Sequence, residues 1–491
     1  MTLLIFFIYA SVCSSDLSAQ DKDDAKHQND TIRESKITAT QSNKENETQT
    51  GHKRLKELDF IYGNIVFSTP DLIKTLQNMP GVNAGTELMS GLYVHGGEGS
   101  DNLFTLDGIP LYQISHLGGI FSSFNADILS SVDFYKSGFP ARYGGKLSSV
   151  VDVRTKDGDF EKYHGTFALG LIDGRLQAEG PIIKGKTSFN IAFRRSWMDA
   201  VMVPTLKIVN KNMMEEGESV DGTYAFYDLN ASVTHRLNQS HILSVKAYHG
   251  NDRLRLKTIS PENDVMDAKL KWGNTLVSLN WSGVFGDKFK TSTILYYSRS
   301  ASDIKYDLLE HNIDEITNIE TVDKVNEKNR SAINETGLKS DWQWNPHRKH
   351  TVRFGGLVQI RRYSPERYSI VDNAGSLIKT SADKKYNAVE TGLYIEDEIA
   401  ISRNLTINPG LRYAVFFTEN KTYHSPEPRV AVSWKATDLL DIKASYTEMS
   451  QFSHLVSTTY MDLPTNCWLP STIRVKPMPQ VYIPDFRGSS V

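Results

Sequence analysis

Only two cysteines, Cys13 and Cys467, occur in 491 residues, and after the N-terminus no run of 18 apolar residues appears. With Cys13 inside a cleavable leader, Cys467 stands alone, so no internal disulfide supports the mature fold. The missing apolar runs exclude helical membrane spans but not barrel strands, whose apolar residues alternate. Charge of one sign is missing as well. The 55 basic and 58 acidic side chains give a net charge of −3, which suggests no preference for nucleic acid or an anionic membrane. No catalytic constellation or metal-ligand spacing is found, and no cofactor is implied. "HGG" at His95 mimics an oxyanion-hole motif, yet no Gly-x-Ser-x-Gly elbow accompanies it.

A complete Walker A pattern is present in "EGPIIKGKTSFNIAF": Gly180, four free positions, then Gly185, Lys186 and Thr187. A phosphate cradle needs a helix to begin at the Lys-Thr pair. Here Ser188 to Arg194 alternates apolar and polar with period two, the pattern of a half-buried strand. The segment is therefore expected to be a tight turn between two strands.

What the chain does contain sorts into four stretches. "LLIFFIYASVC", from Leu3, is too short to span a bilayer and is followed by a cleavage site after Ala19, so residues 1–19 are expected to be a signal peptide. Residues 20–54 are polar, with acids and bases balanced, and should stay flexible. One β-prone stretch, Ile37-Thr38-Ala39-Thr40, interrupts them. Residues 55–158 form a small α+β unit. In it, "STPDLIKTLQNMPGV" predicts a helix capped by Thr69, opened by Pro70 and stopped at Pro80-Gly81, with Leu72, Ile73 and Leu76 inward. Leu106-Asp107-Gly108-Ile109 predicts a type I′ hairpin. Asn125 caps a short helix that leads into a strand through Val132 and Phe134.

From residue 160 to 491 the pattern is strands only. Tyr227, Leu229, Ala231 and Val233 alternate with Asp228, Asn230, Ser232 and Thr234. A soluble sandwich would also alternate; the connections decide between sandwich and membrane barrel. Short links at 181–186, 238–240, 286–288, 345–350, 402–404 and 436–438 alternate with long ones near 198–223, 250–268, 300–330, 361–387 and 417–427. Such alternation puts short turns at one end and long loops at the other, as in outer-membrane barrels. About thirteen strands of roughly 9 to 11 residues are expected. No aromatic ends the chain, and "VYIPDFRGSSV" stops mid-pattern, which suggests a truncated barrel.

Three motifs in order, "DLIKTLQNMPGV", "LYVHGGEGSDNLFTLDGIPLY" and "SVDFYKSGFPARYGGKLSSVVDVRTK", resemble the plug domain of TonB-dependent outer-membrane receptors. "GLYIEDEIAI" and "LTINPGLRY" resemble paired barrel strands of the same family. "SHLGGIFSSFN" after the hairpin is similar to the Bacteroidetes-type receptors, and the insertion signature of the SusC-like group is absent. The resemblance implies an α+β plug domain at 55–158 and an all-β antiparallel transmembrane barrel at 160–491, with about 13 strands of an expected 22. It implies a signal peptide, the cell outer membrane of a Gram-negative bacterium, contact with outer-membrane lipid, and no enzyme activity.

The activity implied is active uptake of an unknown small ligand too large for porins. Ferric siderophore, corrinoid and small oligosaccharide all remain open. The energy would come from a TonB-type coupling protein adding a strand at a short box, for which Ile37, Thr38, Ala39 and Thr40 are the candidates. The plug motifs comprise His95, Gly96, Gly97, Asp107, Gly108, Tyr143 and Gly144. His95 stands where the family has Arg, so an ion pair with a barrel-wall carboxylate would become pH-dependent or be replaced by packing at the plug surface. Tyr112, His116, Phe121 and Phe124 mix aromatic and polar character as ligand-binding residues do, and packing against the barrel wall is the alternative. A non-transporting signal receptor or surface-binding protein, or a non-functional truncated remnant, are the rival functions.

Overall fold

The alternation of apolar and polar residues resolves into an inside-out wall. On the strand carrying Asp228, Asn230, Ser232 and Thr234, those polar side chains are buried, while Leu229 and Val233 are 40% and 43% exposed. The apolar face looks away from the lumen, as in a wall surrounded by lipid. The computed structural model describes residues 51–56, 59, 64–67, 69–85, 91–313, 320–371, 377–380, 384–437, 440–456, 465–482 and 487–490. The leader and the Ile37–Thr40 stretch lie outside the described residues.

The plug is built on a five-stranded sheet of β1 (His52–Lys56), β2 (Leu103–Leu106), β3 (Ile109–Pro110), β4 (Leu129–Tyr135) and β5 (Val150–Thr155), in the order β1-β4-β5-β2-β3. The β5–β2 pair is parallel and the other pairs are antiparallel. The β2–β3 turn has Asp107 at φ 52° and Gly108 at φ 81°, the two left-handed positions that a type I′ turn requires. Helix α1 (Leu72–Gln77) buries Leu72, Ile73 and Leu76 completely. Its cap is Asp71 rather than Thr69: the Asp71 carboxylate accepts from the Lys74 N–H at 3.0 Å. Thr69 and Pro70 are extended, paired with Ile65–Val66. The Thr69 hydroxyl donates instead to Asp173 of the wall at 2.6 Å.

The wall follows as β6 (His164–Leu169), β7 (Asp173–Ile183), β8 (Thr187–Ser196), β9 (Ser219–Arg236), β10 (His241–Ile259), β11 (Val265–Phe285), β12 (Phe289–Ile313), β13 (Glu320–His347), β14 (His350–Val371), β15 (Tyr386–Ala400), β16 (Leu405–Thr418), β17 (Lys421–Thr437) and β18 (Leu440–Gln451). Each pairs antiparallel with the next. The far edge of β18 is shared by two short pieces, Met478–Tyr482 and Arg487–Ser490. Thirteen strands and a broken fourteenth, with the short strand Leu377–Thr380 paired to β14, thus form one sheet. Among the described residues β6 and this last edge do not pair, so the barrel is not closed.

The Walker-like segment is the turn between β7 and β8, with Gly185 at φ 70°. Strand length departs from expectation. Strands β9 to β14 run 18, 19, 21, 25, 28 and 22 residues. Segments read as long loops are largely paired strand: residues 260–264 alone join β10 to β11, and 419–420 join β16 to β17. Polar residues continue along these strands beyond the lipid band, where their composition is that of loops. The connection after Ser196 does leave the sheet, as helix α2 (Met198–Met213), which packs Met202 and Leu206 over Gly222.

Candidate functional site

The polar side chains that β8 to β17 turn inward meet the plug along a buried seam. Its centre is His116, whose backbone is held by pairing with Phe121. The ring Nδ1 lies 2.6 Å from Asp252, and Nε2 lies 3.1 Å from both oxygens of Asp228. Two carboxylates around one imidazole require both nitrogens to donate, so the ring is the cation. Burial alone would lower its pKa, but Asp228 and Asp252 more than offset this and raise it to about 9. The ring also stacks on Phe226 with centroids 4.2 Å apart.

Around it every oxygen of the two carboxylates is used. Arg194 donates to Asp228 at 2.8 Å and to the Ser122 carbonyl at 2.7 Å. Tyr248 donates to Asp228 at 2.7 Å, Tyr224 donates to Asp252, and the Leu117 N–H reaches Asp252 at 3.2 Å. Buried charges persist only when paired and hydrogen-bonded in this way.

A second contact lies at Tyr112. Its hydroxyl donates to Glu335, which also accepts from Tyr296 at 2.6 Å and Arg361 at 2.7 Å. The Tyr112 ring meets Trp468 edge-on at 5.3 Å. Trp468 in turn carries Lys146 over its face at 4.3 Å. Burial pulls the Lys146 pKa down to about 7, with Asp101 opposing the shift. A third contact holds the hairpin tip: Lys246 binds Asp107 and Asp157, each at 3.0 Å, and Lys339 donates to the Gly108 carbonyl at 3.3 Å.

A fourth contact lies at Pro140 and Ala141. The Ala141 N–H donates to Glu396 at 2.7 Å, and Arg429 bridges the Pro140 carbonyl at 2.6 Å and Glu427 at 2.8 Å. Arg412 packs so close that a Cβ on Gly144 would lie 2.4 Å from its Nε. None of its guanidinium nitrogens reaches a hydrogen-bond partner among the described residues, and Glu427 and Glu390 stand 3.6 and 3.9 Å away.

The residues singled out from the sequence fall as follows. Asp107 caps the hairpin region by accepting from the Thr155 N–H at 3.0 Å and hydroxyl at 2.7 Å. Tyr143 donates to Asp152 at 2.8 Å. His95 is exposed at φ 50°, with its N–H directed to the Gly81 carbonyl at 3.4 Å and its ring beside Gly81. Gly96 has open space around it, whereas a Cβ on Gly97 would strike Ser148. Tyr112, His116, Phe121 and Phe124 are not open at the plug apex as a ligand-facing group. Tyr112 is half-buried and the other three are buried, packed into the seam and the plug core. Sequence reading missed Arg194, Asp228, Asp252, Glu335, Arg361, Arg412 and Glu427. Their signal was available: each is a charge on the inward parity of an alternating strand.

Residues 67–150 match the profile of the TonB-dependent receptor plug domain, and residues 214–464 match that of the TonB dependent receptor-like beta-barrel. No curated protein matches. Among solved structures, the chain is similar to the siderophore receptor PirA from Acinetobacter baumannii, at 14% identity and TM-score 0.54 over 88% of this chain and 67% of that one. The ferric enterobactin receptor PfeA from Pseudomonas aeruginosa, in a mutant form, gives 14% and 0.56 over 90% and 69%. The outer membrane transporter YddB from Escherichia coli gives 12% and 0.57 over 82% and 62%. With a plug seated against an inside-out wall and both parts matched, the chain belongs to the TonB-dependent receptors, outer-membrane transport proteins of Gram-negative bacteria and not enzymes.

Proposed function

We propose that this receptor takes up a siderophore-like ligand, too large for porins, by TonB-coupled movement of its plug. The observation that carries the reading is the His116 seam: a charged plug ring enclosed by two wall carboxylates, a contact that must be broken before anything passes. Breaking a buried ion pair costs several kcal/mol, on the order of 3–5, which calls for an external energy source. Residues Ile37, Thr38, Ala39 and Thr40 serve as the TonB box, downstream of a signal peptide at 1–19, with the plug at 55–158, its sheet reaching back to His52, and the wall from 160. The names of PirA and PfeA support a ferric siderophore among the open ligand classes. "SHLGGIFSSFN", which supplies His116, supports a Bacteroidetes-type receptor outside the SusC-like group. In this reading Tyr112, His116, Phe121 and Phe124 transmit ligand arrival to the plug rather than touch the ligand.

The test is accumulation of radiolabelled ferric siderophores by cells expressing the full chain or a form lacking residues 37–40. Uptake should be lost while surface binding persists. Equal accumulation by both forms would overturn the coupling assignment, and binding without accumulation in either form would make the protein a signal receptor.

A further inference from the structure

At the end of β18 the chain turns inward instead of continuing the wall. Phe452 is buried and stacked on Phe416 of β16, with centroids 4.9 Å apart. Ser453–Val456 then pairs antiparallel with Cys467–Pro470, a hairpin separate from the wall sheet. The Ser471 N–H closes its base on the Phe452 carbonyl at 2.7 Å. Two contacts reach strands four and five places away along the wall. Ser453 and the buried Tyr363 of β14 share a hydrogen bond of 2.6 Å, and Ser331 of β13 donates to the Asn466 carbonyl at 3.5 Å. The hairpin therefore lies on the lumen side of the wall.

Trp468 carries the hairpin onto the plug. It stands opposite Leu455 and inserts between two plug residues, meeting Tyr112 edge-on at 5.3 Å and lying 4.3 Å beneath the Lys146 ammonium. Tyr112 is held from its other side, where its hydroxyl donates to Glu335. Lys146 is half-buried and donates to the Ser100 carbonyl, and among the described residues no carboxylate lies within ion-pair distance of it. An ammonium has three N–H groups to place. Beyond that carbonyl the indole face receives it, a contact that strengthens where water is excluded. A tryptophan present for packing alone would use the Tyr112 edge and the apolar cluster around Phe452, and would leave Lys146 to solvent.

We propose that Trp468 is a latch that joins this hairpin to the plug, so that the two loosen together. By linkage, whatever lifts the hairpin weakens the seat of the plug, and displacing the plug frees the hairpin by the same factor. On the transport reading, a ligand entering the lumen on this side pushes Trp468 off Tyr112 and Lys146 and so starts to release the plug. Only that step rests on the transport reading; the latch itself does not.

Cys467 adjoins the latch and is the one cysteine outside the leader, so the full chain in detergent carries its own reporter. Maleimide labelling of Cys467 reads the hairpin, and limited proteolysis followed by mass spectrometry reads the plug. Lys146→Gln leaves every hairpin residue in place and should speed labelling at least threefold, whereas Lys146→Arg keeps a cation over the ring and should label as the parent does. Trp468→Ala should speed both labelling and plug cleavage at least threefold, and adding Lys146→Gln should speed labelling no further. Unchanged labelling in Lys146→Gln, or effects that multiply in the double variant, overturns the latch. Faster labelling of Trp468→Ala with the plug cleaved at the parent rate overturns the coupling and leaves a hairpin that moves by itself. Both readouts are taken without ligand, so a failure of the uptake experiment leaves them standing and their failure leaves uptake untouched.

Discussion

The two sides of the plug are held differently. On the β8–β10 side, Asp228 and Asp252 share His116, Arg194, Tyr224 and Tyr248, and no acceptor is idle. On the β16–β17 side, Arg412 is equally buried, yet it approaches its carboxylates without a hydrogen bond. Burial is thus the same and satisfaction is not, and the net value of a buried ion pair depends on the second. The first side is a fixed anchor. The second leaves one wall guanidinium beside the plug without that satisfaction.

The strongest way to break this comparison is to remove the shared acceptor. Asp228→Ala leaves Arg194 buried without its carboxylate and His116 with Asp252 alone, and should cost about 3–5 kcal/mol. The readout is limited proteolysis of the plug in detergent, which should accelerate sharply. A plug as resistant as in the parent protein would remove the anchor from the account.

A matched pair of variants sharpens it. Arg194→Met should lower stability by about 3 kcal/mol, whereas Arg412→Met should stay within about 1 kcal/mol, since Glu427 keeps Arg429 and Glu390 keeps Arg361. Thermal unfolding followed by tryptophan fluorescence distinguishes the two, and equal losses would erase the asymmetry.

Solution pH tests the anchor alone. His116 faces Asp228, Asp252, Arg194, Tyr224 and Tyr248. Its folded pKa is raised to about 9 from the ordinary histidine value of 6.5, so its contribution is complete below the unfolded value and is lost as pH rises through about 9. Plug protection should therefore hold at neutral pH and fall in alkali, with that step abolished in His116→Gln. The smallest effect is expected from Tyr112→Phe, about 1 kcal/mol, because Glu335 retains Tyr296 and Arg361. A double-mutant cycle with Glu335→Gln measures it.

Local rules carried much of the fold. Asp107-Gly108 announced its turn because few residues accept two left-handed positions, and the period-two run after Thr187 was enough to replace a phosphate loop with a hairpin. The helix cap was read two residues early: Thr69 and Asp71 are both capping types, and the choice was made by Asp173, more than a hundred residues away. The seam was legible only as charges on an inward parity. Which charge meets which depends on wall register, and the plug partners, including His116, lie 112 and 136 residues from their carboxylates. Tyr112, Phe121 and Phe124 were recognised as special by type, but type alone could not separate a cargo contact from a wall contact.

The length of β12 and β13 has a consequence of its own. From Leu295 to Ile313 the ribbon climbs about 40 Å past the apolar band, at about 3.3 Å per residue and a 45° slant. An antibody, a phage tail or a protease approaching the intact cell meets hydrogen-bonded ribbon there before it meets lipid. Digestive enzymes need slack polypeptide to cut, so shaving whole bacteria should spare this turret while clipping less ordered surface proteins around it.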